Sequence, residues 1–206
     1  LGGTFDPIHN GHLRSALEVL QQFDFDHIRL IPSARPPHRP QPQATPEQRV
    51  MMLHLAIKSR NQFIVDDREL KREGASYTID TLRSLKQEMP DTALYLILGS
   101  DAFRNLPTWH EWKSLLDVCH IIVMHRASEP LALPRNMAIW FQSRRATLPD
   151  DTVLNAGSNG RIWLVELTQL SISATAIRAD IAQGRSPAFL MPDPVVSLIE
   201  QLALYQ

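Results

Sequence analysis

The feature that most constrains the fold is a near-continuous apolar run, ALYLILGSD, at 93–101. A run of this kind is typical of a strand buried on both faces, because helices cover both sides of a parallel sheet. HIIVMHR, at 120–126, has the same character, and shorter strand patterns lie at 27–32, 63–66 and 161–167. The chain is therefore predicted to build its core around parallel strands.

Helical patterns separate these strands. Apolar residues recur at helical spacing over 11–23, and Thr45 with Gln48 forms a capping box ahead of a helix that reaches about Ser59. Further helices are predicted at 76–88, 108–116, 173–183 (ended by Gly184) and 194–204. This alternation predicts an α/β domain with a mainly parallel sheet, whose ligands bind at the carboxyl ends of the strands.

The composition narrows the class of protein. With 206 residues, 44% of them hydrophobic, the chain is long enough for one ordinary domain with a packed core. Its formal charge of −1 gives no long-range attraction to nucleic acid or acidic membranes. No apolar run approaches the roughly 20 residues of a membrane helix. The single cysteine, Cys119, allows no internal disulfide and favours a reducing, cytoplasmic compartment.

The opening stretch GGTFDPIHNGHL combines three glycines with two histidines. Gly2 and Gly3 permit close approach of the backbone, and Gly11 lies where the first helix begins and its free N–H groups can bind an anion. His9 and His12 are three positions apart, so both imidazoles can point to one side and donate to phosphate oxygens. For an isolated HxxH pattern, a glycine-rich turn with incidental surface histidines is the favoured alternative. A zinc site is disfavoured because no HExxH pattern is present.

A second candidate for phosphate binding is SISATAIR, at 171–178. Ser173 or Thr175 is expected to cap a helix, with Arg178 near its first turn. Capping hydroxyls, helix-start amides and one guanidinium suit a phosphate group. Taken alone, the stretch is better interpreted as an ordinary helix cap, which is worth about 1 kcal/mol and needs no ligand.

Three other stretches carry side chains suited to a nucleotide. PPHRP places Arg39 on a stiff loop after the second strand, and LGSD places Asp101 after a central strand. The Asp101 carboxylate can accept from ribose hydroxyls, although a helix-capping role explains it equally well. PTWHEW contains Trp109 and Trp112, of which one can stack on a flat ring, while core anchoring has about even odds.

The order of these motifs carries a family resemblance. GGTFDPIHNGHL, PPHRP, GASYTIDTL, LGSD, PTWHEW and SISATAIR follow one another as they do in bacterial nicotinate-nucleotide adenylyltransferases of the HxGH nucleotidyltransferase superfamily, which the chain closely resembles. The resemblance implies a Rossmann-like α/β fold with helices on both faces of the sheet. It also implies transfer of AMP from ATP to nicotinic acid mononucleotide by direct in-line attack, without a covalent enzyme intermediate, and with Mg²⁺ carried by ATP.

The resemblance also implies roles for individual residues. His9, His12, Arg39 and Arg178 would be the groups that act on the phosphates during transfer. ATP would be bound by Gly2, Gly3, Thr4, Phe5, His9, Gly11, His12, Gly99, Asp101, Ser173, Thr175 and Arg178. The mononucleotide would be bound by Thr78, Gly99, Ser100, Asp101, Trp109 and His110, with Trp109 stacked on the pyridine ring. No protein ligand is expected for the metal.

Other classes share part of this pattern. A sister adenylyltransferase acting on nicotinamide mononucleotide or pantetheine phosphate would have the first and last motifs but not SYT with PTW. An aminoacyl-tRNA synthetase fragment would need a KMSKS-like loop and a basic RNA-binding surface, which this chain lacks. A nucleotide-sensing module would not need to keep His9, His12, Arg39 and Arg178.

The expected organisation is one nucleotidyltransferase domain over 1–206, with a variable surface segment at 127–160 and a C-terminal helical portion at 171–206. The expected partners are the two small-molecule substrates, without nucleic acid or membrane. A strand should precede LGG, yet only Leu1 stands there, so we expect further residues before Leu1. His110 stands where a more aromatic residue is expected, which would affect a backbone contact little.

Overall fold

The computed structural model describes residues 1–34, 41–125, 131–147, 159–168 and 170–206. The chain divides into two compact units. Unit 1 comprises Leu1–Ala75 and Thr168–Gln206, and unit 2 comprises Ser76–Leu167. The expectation of one nucleotidyltransferase domain over the whole chain stays a prediction.

Strands and helices alternate along the described residues. The strands are β1 (Gly2–Gly3), β2 (Ile28–Pro32), β3 (Phe63–Val65), β4 (Tyr95–Gly99), β5 (His120–His125), β6 (Arg145–Ala146) and β7 (Ile162–Glu166). The α-helices are α1 (Asn10–Gln22), α2 (Pro46–Ile57), α3 (Thr78–Glu88), α4 (Ser100–Arg104), α5 (Leu115–Val118), α6 (Arg135–Gln142), α7 (Ala174–Ala182) and α8 (Asp193–Gln201). In the described part of the chain, no helix is long and apolar enough to cross a membrane.

Unit 1 contains a three-stranded parallel sheet in the order β1-β2-β3. The predicted capping box starts α2: the Gln48 amide donates to the Thr45 hydroxyl at 3.3 Å, and the Thr45 amide donates to the Gln48 side chain at 2.8 Å. Helix α8 packs against α2. The core of this unit is made of Ile8, Val19, Leu30, Met52, Leu53, Ile177 and Val195. The short connection from β1 to α1 carries the opening motif.

Unit 2 contains a four-stranded sheet in the order β4-β5-β7-β6, again with every pairing parallel. The central strand β5 buries Ile121, Ile122 and Val123 completely, as its uninterrupted apolar run predicts. The turns that follow β4 carry the LGSD and PTWHEW motifs. The predicted α/β class with parallel strands is therefore confirmed, with the strands divided between two sheets.

Two regions differ from the expectations. The single helix predicted at 108–116 is wrong: the chain there forms 3-10 turns at Leu106–Thr108 and Trp112–Ser114, followed by α5. Glu111, with a left-handed φ of 47°, interrupts the helix, and apolar spacing cannot reveal such a break. The segment 127–160 is more than surface, because α6 buries Met137 and Phe141. Residues 126–130 and 148–158 lie outside the described residues.

Candidate active site

The turn between β1 and α1 is shaped by a close contact between Gly3 and Phe5. A Cβ at Gly3 would lie 2.9 Å from two ring atoms of Phe5, so any side chain there would displace the ring. Phe5 is buried and has a positive φ of 49°. Its ring packs edge-on against the His12 ring, with the two ring centroids 5.2 Å apart. Glycine at position 3 therefore allows Phe5 to support His12. At Gly2, by contrast, a Cβ would meet open space.

The two histidines of the opening motif lie against each other. His9 is the N-cap of α1, and its Nδ1 accepts from the His12 amide at 3.4 Å. The rings of His9 and His12 stack with centroids 3.7 Å apart. A Cβ at Gly11 would come within 3.0 Å of the His9 ring, so this glycine is what lets the ring lie over the helix start.

Burial determines the charge of His9. The side chain is 5% exposed, and desolvation lowers its pKa from 6.5 to about 4, so the ring is neutral near pH 7. Because Nδ1 accepts a hydrogen bond, the network assigns the ring proton to Nε2. His9 is thus a neutral hydrogen-bond donor in a fixed orientation rather than a cation.

The last motif is hydrogen-bonded to the first. Ser173 is the N-cap of α7 and accepts from the Ala176 amide at 3.2 Å, so of the two expected capping residues it is Ser173 that caps. One helical turn further on, Arg178 donates from Nη1 to the backbone oxygen of Asp6 at 2.7 Å. Its Nη2 lies 3.5 Å from the Thr175 hydroxyl. The hydrogen bond from Arg178 to Asp6 therefore links the start of α7, with Ser173 and Thr175, to the opening motif within unit 1.

Two buried charged residues that the sequence analysis did not select hold this arrangement. Asp6 is 4% exposed, and its carboxylate accepts from the Tyr205 hydroxyl at 2.7 Å and from the amides of Gln43 and Ala44 at 2.9 and 3.1 Å. These partners are 37 to 199 positions away in sequence, so no local pattern reveals them. The only hint is that Asp6 lies inside the opening motif.

Arg49 is the second of these residues. It is 1% exposed, and its Nη1 donates to the backbone oxygens of Thr4 at 2.8 Å and Ser33 at 2.9 Å. It therefore fixes the ends of β1 and β2 relative to each other. A buried arginine on a helix with an otherwise ordinary pattern is not distinguishable from a surface arginine by sequence. Arg39, which the sequence analysis did select, lies outside the described residues.

In unit 2, the LGSD motif lies at the end of β4 and the start of α4. The N-cap residue of α4 is Gly99 and not Asp101, and no side-chain hydrogen bond caps this helix start. The alternative interpretation of Asp101 as a capping residue is therefore wrong. Ser100 is partly exposed, and the Asp101 carboxylate is 89% exposed and paired with Arg104. A Cβ at Gly99 would meet open space. These groups are accessible at the carboxyl edge of a parallel sheet, where ligands bind in α/β folds.

The expected nicotinate-binding residues lie at the start of α3 and in the PTWHEW turn. Thr78 is the first residue of α3, and the N-cap residue Tyr77 provides no side-chain hydrogen bond to the helix start. The Tyr77 ring packs against the ring of His110 with centroids 4.4 Å apart. The uncapped amides around Thr78 and the His110 turn are therefore neighbours within unit 2.

An ion pair between Arg83 of α3 and Glu111 stabilises the PTWHEW turn. Glu111 accepts from Arg83 at 2.5 Å and lies 3.2 Å from His110 Nε2. Hydrogen bonding from Arg83 lowers the pKa of the Glu111 carboxyl. Trp109 is half-buried and, among the described residues, has no aromatic neighbour, whereas Trp112 packs edge-on against Trp140 at 4.9 Å. Of the two tryptophans, Trp112 is therefore the one with an aromatic packing contact among the described residues.

The described residues contain no group of three His, Cys, Asp or Glu side chains that could hold a metal ion. Asp6 is the buried carboxylate nearest the phosphate motifs in sequence, and its oxygens already accept from three donors.

Comparison with known proteins identifies the family. A family model described as "Cytidylyltransferase-like" matches residues 1–180. A "Probable nicotinate-nucleotide adenylyltransferase" of Pseudomonas syringae pv. tomato is 46% identical over 207 residues, covering 100% of this chain and 92% of that relative. The protein of the same name from Methylococcus capsulatus is 43% identical, covering 99% of this chain and 97% of the relative.

Solved structures support the same fold. A Plasmodium falciparum nicotinic acid mononucleotide adenylyltransferase, solved in complex with NaAD, superposes with a TM-score of 0.73. It is 17% identical, and the match covers 99% of this chain and 94% of that one. This likeness bears on the fold alone and agrees with the predicted Rossmann-like class. The chain belongs to the cytidylyltransferase-like family and, within it, to the nicotinate-nucleotide adenylyltransferases.

Proposed function

We propose that this protein transfers AMP from ATP to nicotinic acid mononucleotide, releasing pyrophosphate and forming nicotinic acid adenine dinucleotide for NAD biosynthesis. The observation that carries the proposal is the 2.7 Å hydrogen bond from Arg178 to Asp6, which joins the first and last phosphate-binding motifs beside the stacked histidines. Relatives that are 46% identical over the full chain are named probable nicotinate-nucleotide adenylyltransferases, and this name supports the choice of substrates.

The ATP phosphates would be held by groups of unit 1. His9 would donate from Nε2, and His12 would stabilise the charge that develops at the α-phosphorus. Arg178, with Ser173 and Thr175 at the start of α7, would hold the phosphate tail. Donors that are already fixed in the fold need little reorganisation during the reaction. Arg39 would add a phosphate contact, and the backbone of Gly2, Gly3 and Thr4 would border the reacting phosphates.

No protein nucleophile is needed in this scheme. The phosphate of the mononucleotide attacks the α-phosphorus of ATP directly, the bond to the β-phosphate oxygen breaks, and pyrophosphate leaves with the electron pair. Positioning the two reactants in line and neutralising their charges supplies most of the acceleration in phosphoryl-type transfers. A site built of histidines, arginines and amides fits this chemistry.

The mononucleotide would be held by groups of unit 2. The amides around Thr78 and His110 would donate to the nicotinate carboxylate, and Trp109 would stack on the pyridine ring. Gly99, Ser100 and Asp101 would contact the ribose. A nicotinamide group would place its own NH₂ donor against these N–H donors, so the acid is expected to be preferred.

We further propose that Mg²⁺ enters with ATP and that the enzyme works in the cytoplasm. The cation neutralises phosphate charge, and the donor set described above fits a metal held by phosphate oxygens and water. The cytoplasmic location is supported by cysteine usage: Cys119 is the single cysteine, so the chain has no internal disulfide that would point to an oxidising compartment.

The test is to follow pyrophosphate release from Mg·ATP with nicotinic acid mononucleotide, nicotinamide mononucleotide or pantetheine phosphate as the acceptor. We expect rapid release with the nicotinic acid nucleotide and a much lower kcat/KM with the other two. Preference for either of the others would move the protein to a sister adenylyltransferase. Saturable binding of ATP without release for any acceptor would identify a nucleotide sensor and overturn the proposal.

A further inference from the structure

The second-last residue of the chain is built into the phosphate site. Tyr205 is 8% exposed and adopts a left-handed φ of 67°, which is unusual for an aromatic residue. Its hydroxyl donates to Oδ1 of Asp6 at 2.7 Å, in a buried setting. Burial and the neighbouring Asp6 carboxylate raise the pKa of Tyr205, so the phenol keeps its proton. A residue after the last helix thus reaches the opening motif.

Asp6 presents two kinds of acceptor to Arg178. Its backbone oxygen takes the short hydrogen bond from Nη1, at 2.7 Å, while its carboxylate Oδ2 lies 3.9 Å from the same nitrogen. The carboxylate is instead satisfied by the Tyr205 hydroxyl and by the amides of Gln43 and Ala44. Arg178 is therefore attached to a neutral oxygen rather than locked in a close ion pair.

This distribution of hydrogen bonds matters for an anionic ligand. A guanidinium in a close, bidentate pair with a buried carboxylate has its charge neutralised and its donors engaged. A guanidinium that spends one N–H on a carbonyl keeps the remaining donors and its full charge for phosphate. Removing one donor from the Asp6 carboxylate would leave it under-satisfied in a buried site, where it would draw the nearest cation, Arg178, toward it.

We propose that Tyr205 is a positioning residue for ATP: by saturating the Asp6 carboxylate, it keeps the guanidinium of Arg178 free for the phosphate tail. This inference rests on the proposed function for the identity of the nucleotide. It assigns a role to the end of the chain, which lies outside every motif that marks the family in the sequence analysis.

The test is the Tyr205→Phe variant, which removes only the hydroxyl. If part of the guanidinium's charge is diverted to Asp6, the Kd for Mg·ATP, measured by calorimetry, should rise about fivefold, which corresponds to about 1 kcal/mol. The KM for ATP should rise in parallel, while the KM for nicotinic acid mononucleotide stays within about twofold. An unchanged Kd for Mg·ATP in Tyr205→Phe would overturn the inference.

A matched control separates positioning from general loss of stability. Ile199→Val removes one methyl group from the buried face of α8, in the same unit, without touching Asp6. It should lower the Tm and leave the Kd for ATP unchanged. If Ile199→Val weakens ATP binding as much as Tyr205→Phe does, Tyr205 acts only through stability and the inference fails.

A double variant tests the mechanism itself. Asp6→Asn removes the negative charge that would attract Arg178, so Tyr205→Phe combined with Asp6→Asn should bind Mg·ATP more tightly than Tyr205→Phe alone. A purely structural role predicts further weakening instead, and that result would overturn the inference. The calorimetric readout needs no acceptor, so failure of the transfer reaction in the unmodified protein would remove the proposed function without deciding the role of Tyr205.

Discussion

The polar groups discussed above differ between the two units in how far they are exposed to solvent. In unit 1, residues of and around the opening motif are buried: Asp6 and Arg49 are hydrogen-bonded to partners far away in sequence, and His9 accepts from the His12 amide. In unit 2, the candidate substrate groups are accessible: Asp101 and His110 are exposed, and Trp109 is half-buried without an aromatic neighbour among the described residues.

This difference in exposure predicts which kinetic constant each unit controls. Donors that are fixed before the ligand arrives stabilise charge in the transition state without reorganisation, so unit 1 should control kcat. Groups that are exposed to solvent must lose hydration and side-chain freedom when a ligand binds, so they contribute mainly to affinity. Unit 2 should therefore control the KM for the mononucleotide and the choice between acid and amide.

The largest effect should come from His12→Ala. Removing one preorganised donor should lower kcat by roughly 10²–10³-fold, with a small change in the KM for the mononucleotide. The measurement is steady-state pyrophosphate release with both substrates saturating. His54→Ala removes an exposed histidine from α2 of the same unit and serves as the control, with kcat expected to stay near that of the unmodified protein. An unchanged kcat in His12→Ala would mean that His12 of unit 1 does not stabilise the transition state.

Trp109→Ala should give an intermediate effect, expressed in KM rather than kcat. Loss of a stacking face is worth about 1–2 kcal/mol, so the KM for nicotinic acid mononucleotide should rise roughly 5- to 30-fold while the KM for ATP stays constant. Trp112→Ala is the matched control, because Trp112 packs on Trp140. That variant should lower the Tm with a smaller change in KM. If the two variants raise KM equally, Trp109 is a core anchor and not the stacking residue.

The last effect concerns the free energy of unfolding rather than turnover, and it depends on pH and on the burial of His9. The folded state keeps His9 neutral down to about pH 4, whereas the ordinary value is 6.5, so between these values the unfolded chain binds more protons. The free energy of unfolding should therefore be unaffected by His9 above pH 7 and fall as the pH drops through this range, by at most about 3 kcal/mol.

His9→Asn keeps a good helix cap and removes the titrating group. Urea unfolding at pH 7 and pH 5 should show a shallower pH dependence for His9→Asn than for the unmodified protein. The exposed His54, changed to Asn, should leave that dependence as it is. Equal pH dependence in His9→Asn and the unmodified protein would show that His9 is not desolvated, and would weaken the contrast between the two units.

Much of the fold follows from local patterns. The apolar runs at 93–101 and 120–126 predict β4 and β5 because burial on both faces requires apolar residues at every position. The capping box predicts the start of α2, and Gly184, with φ 70°, ends the helix that Ser173 begins. In each of these cases the deciding interactions lie within a few residues of one another, so the sequence window contains the cause.

Local patterns failed to predict the structure where a single backbone angle or a contact distant in sequence determines it. Nothing in the spacing of 108–116 reveals the left-handed Glu111 that divides the segment into short turns. The burial of Met137 and Phe141 within 127–160 depends on packing that a polar, proline-containing sequence hides. Composition alone predicted a surface segment there, whereas these two side chains are buried.

The candidate site shows the same division. By itself, the sequence determined which residues are candidates for binding a phosphate, since the HxxH spacing and the helix cap of SISATAIR are local, and it determined the family through the order of its motifs. Only the tertiary structure decided that His9 is neutral, that Arg178 rests on the Asp6 backbone, and that Asp6 is held by Tyr205. Charge state and hydrogen-bond partners depend on burial and on which distant segments meet, and these are properties of the folded chain.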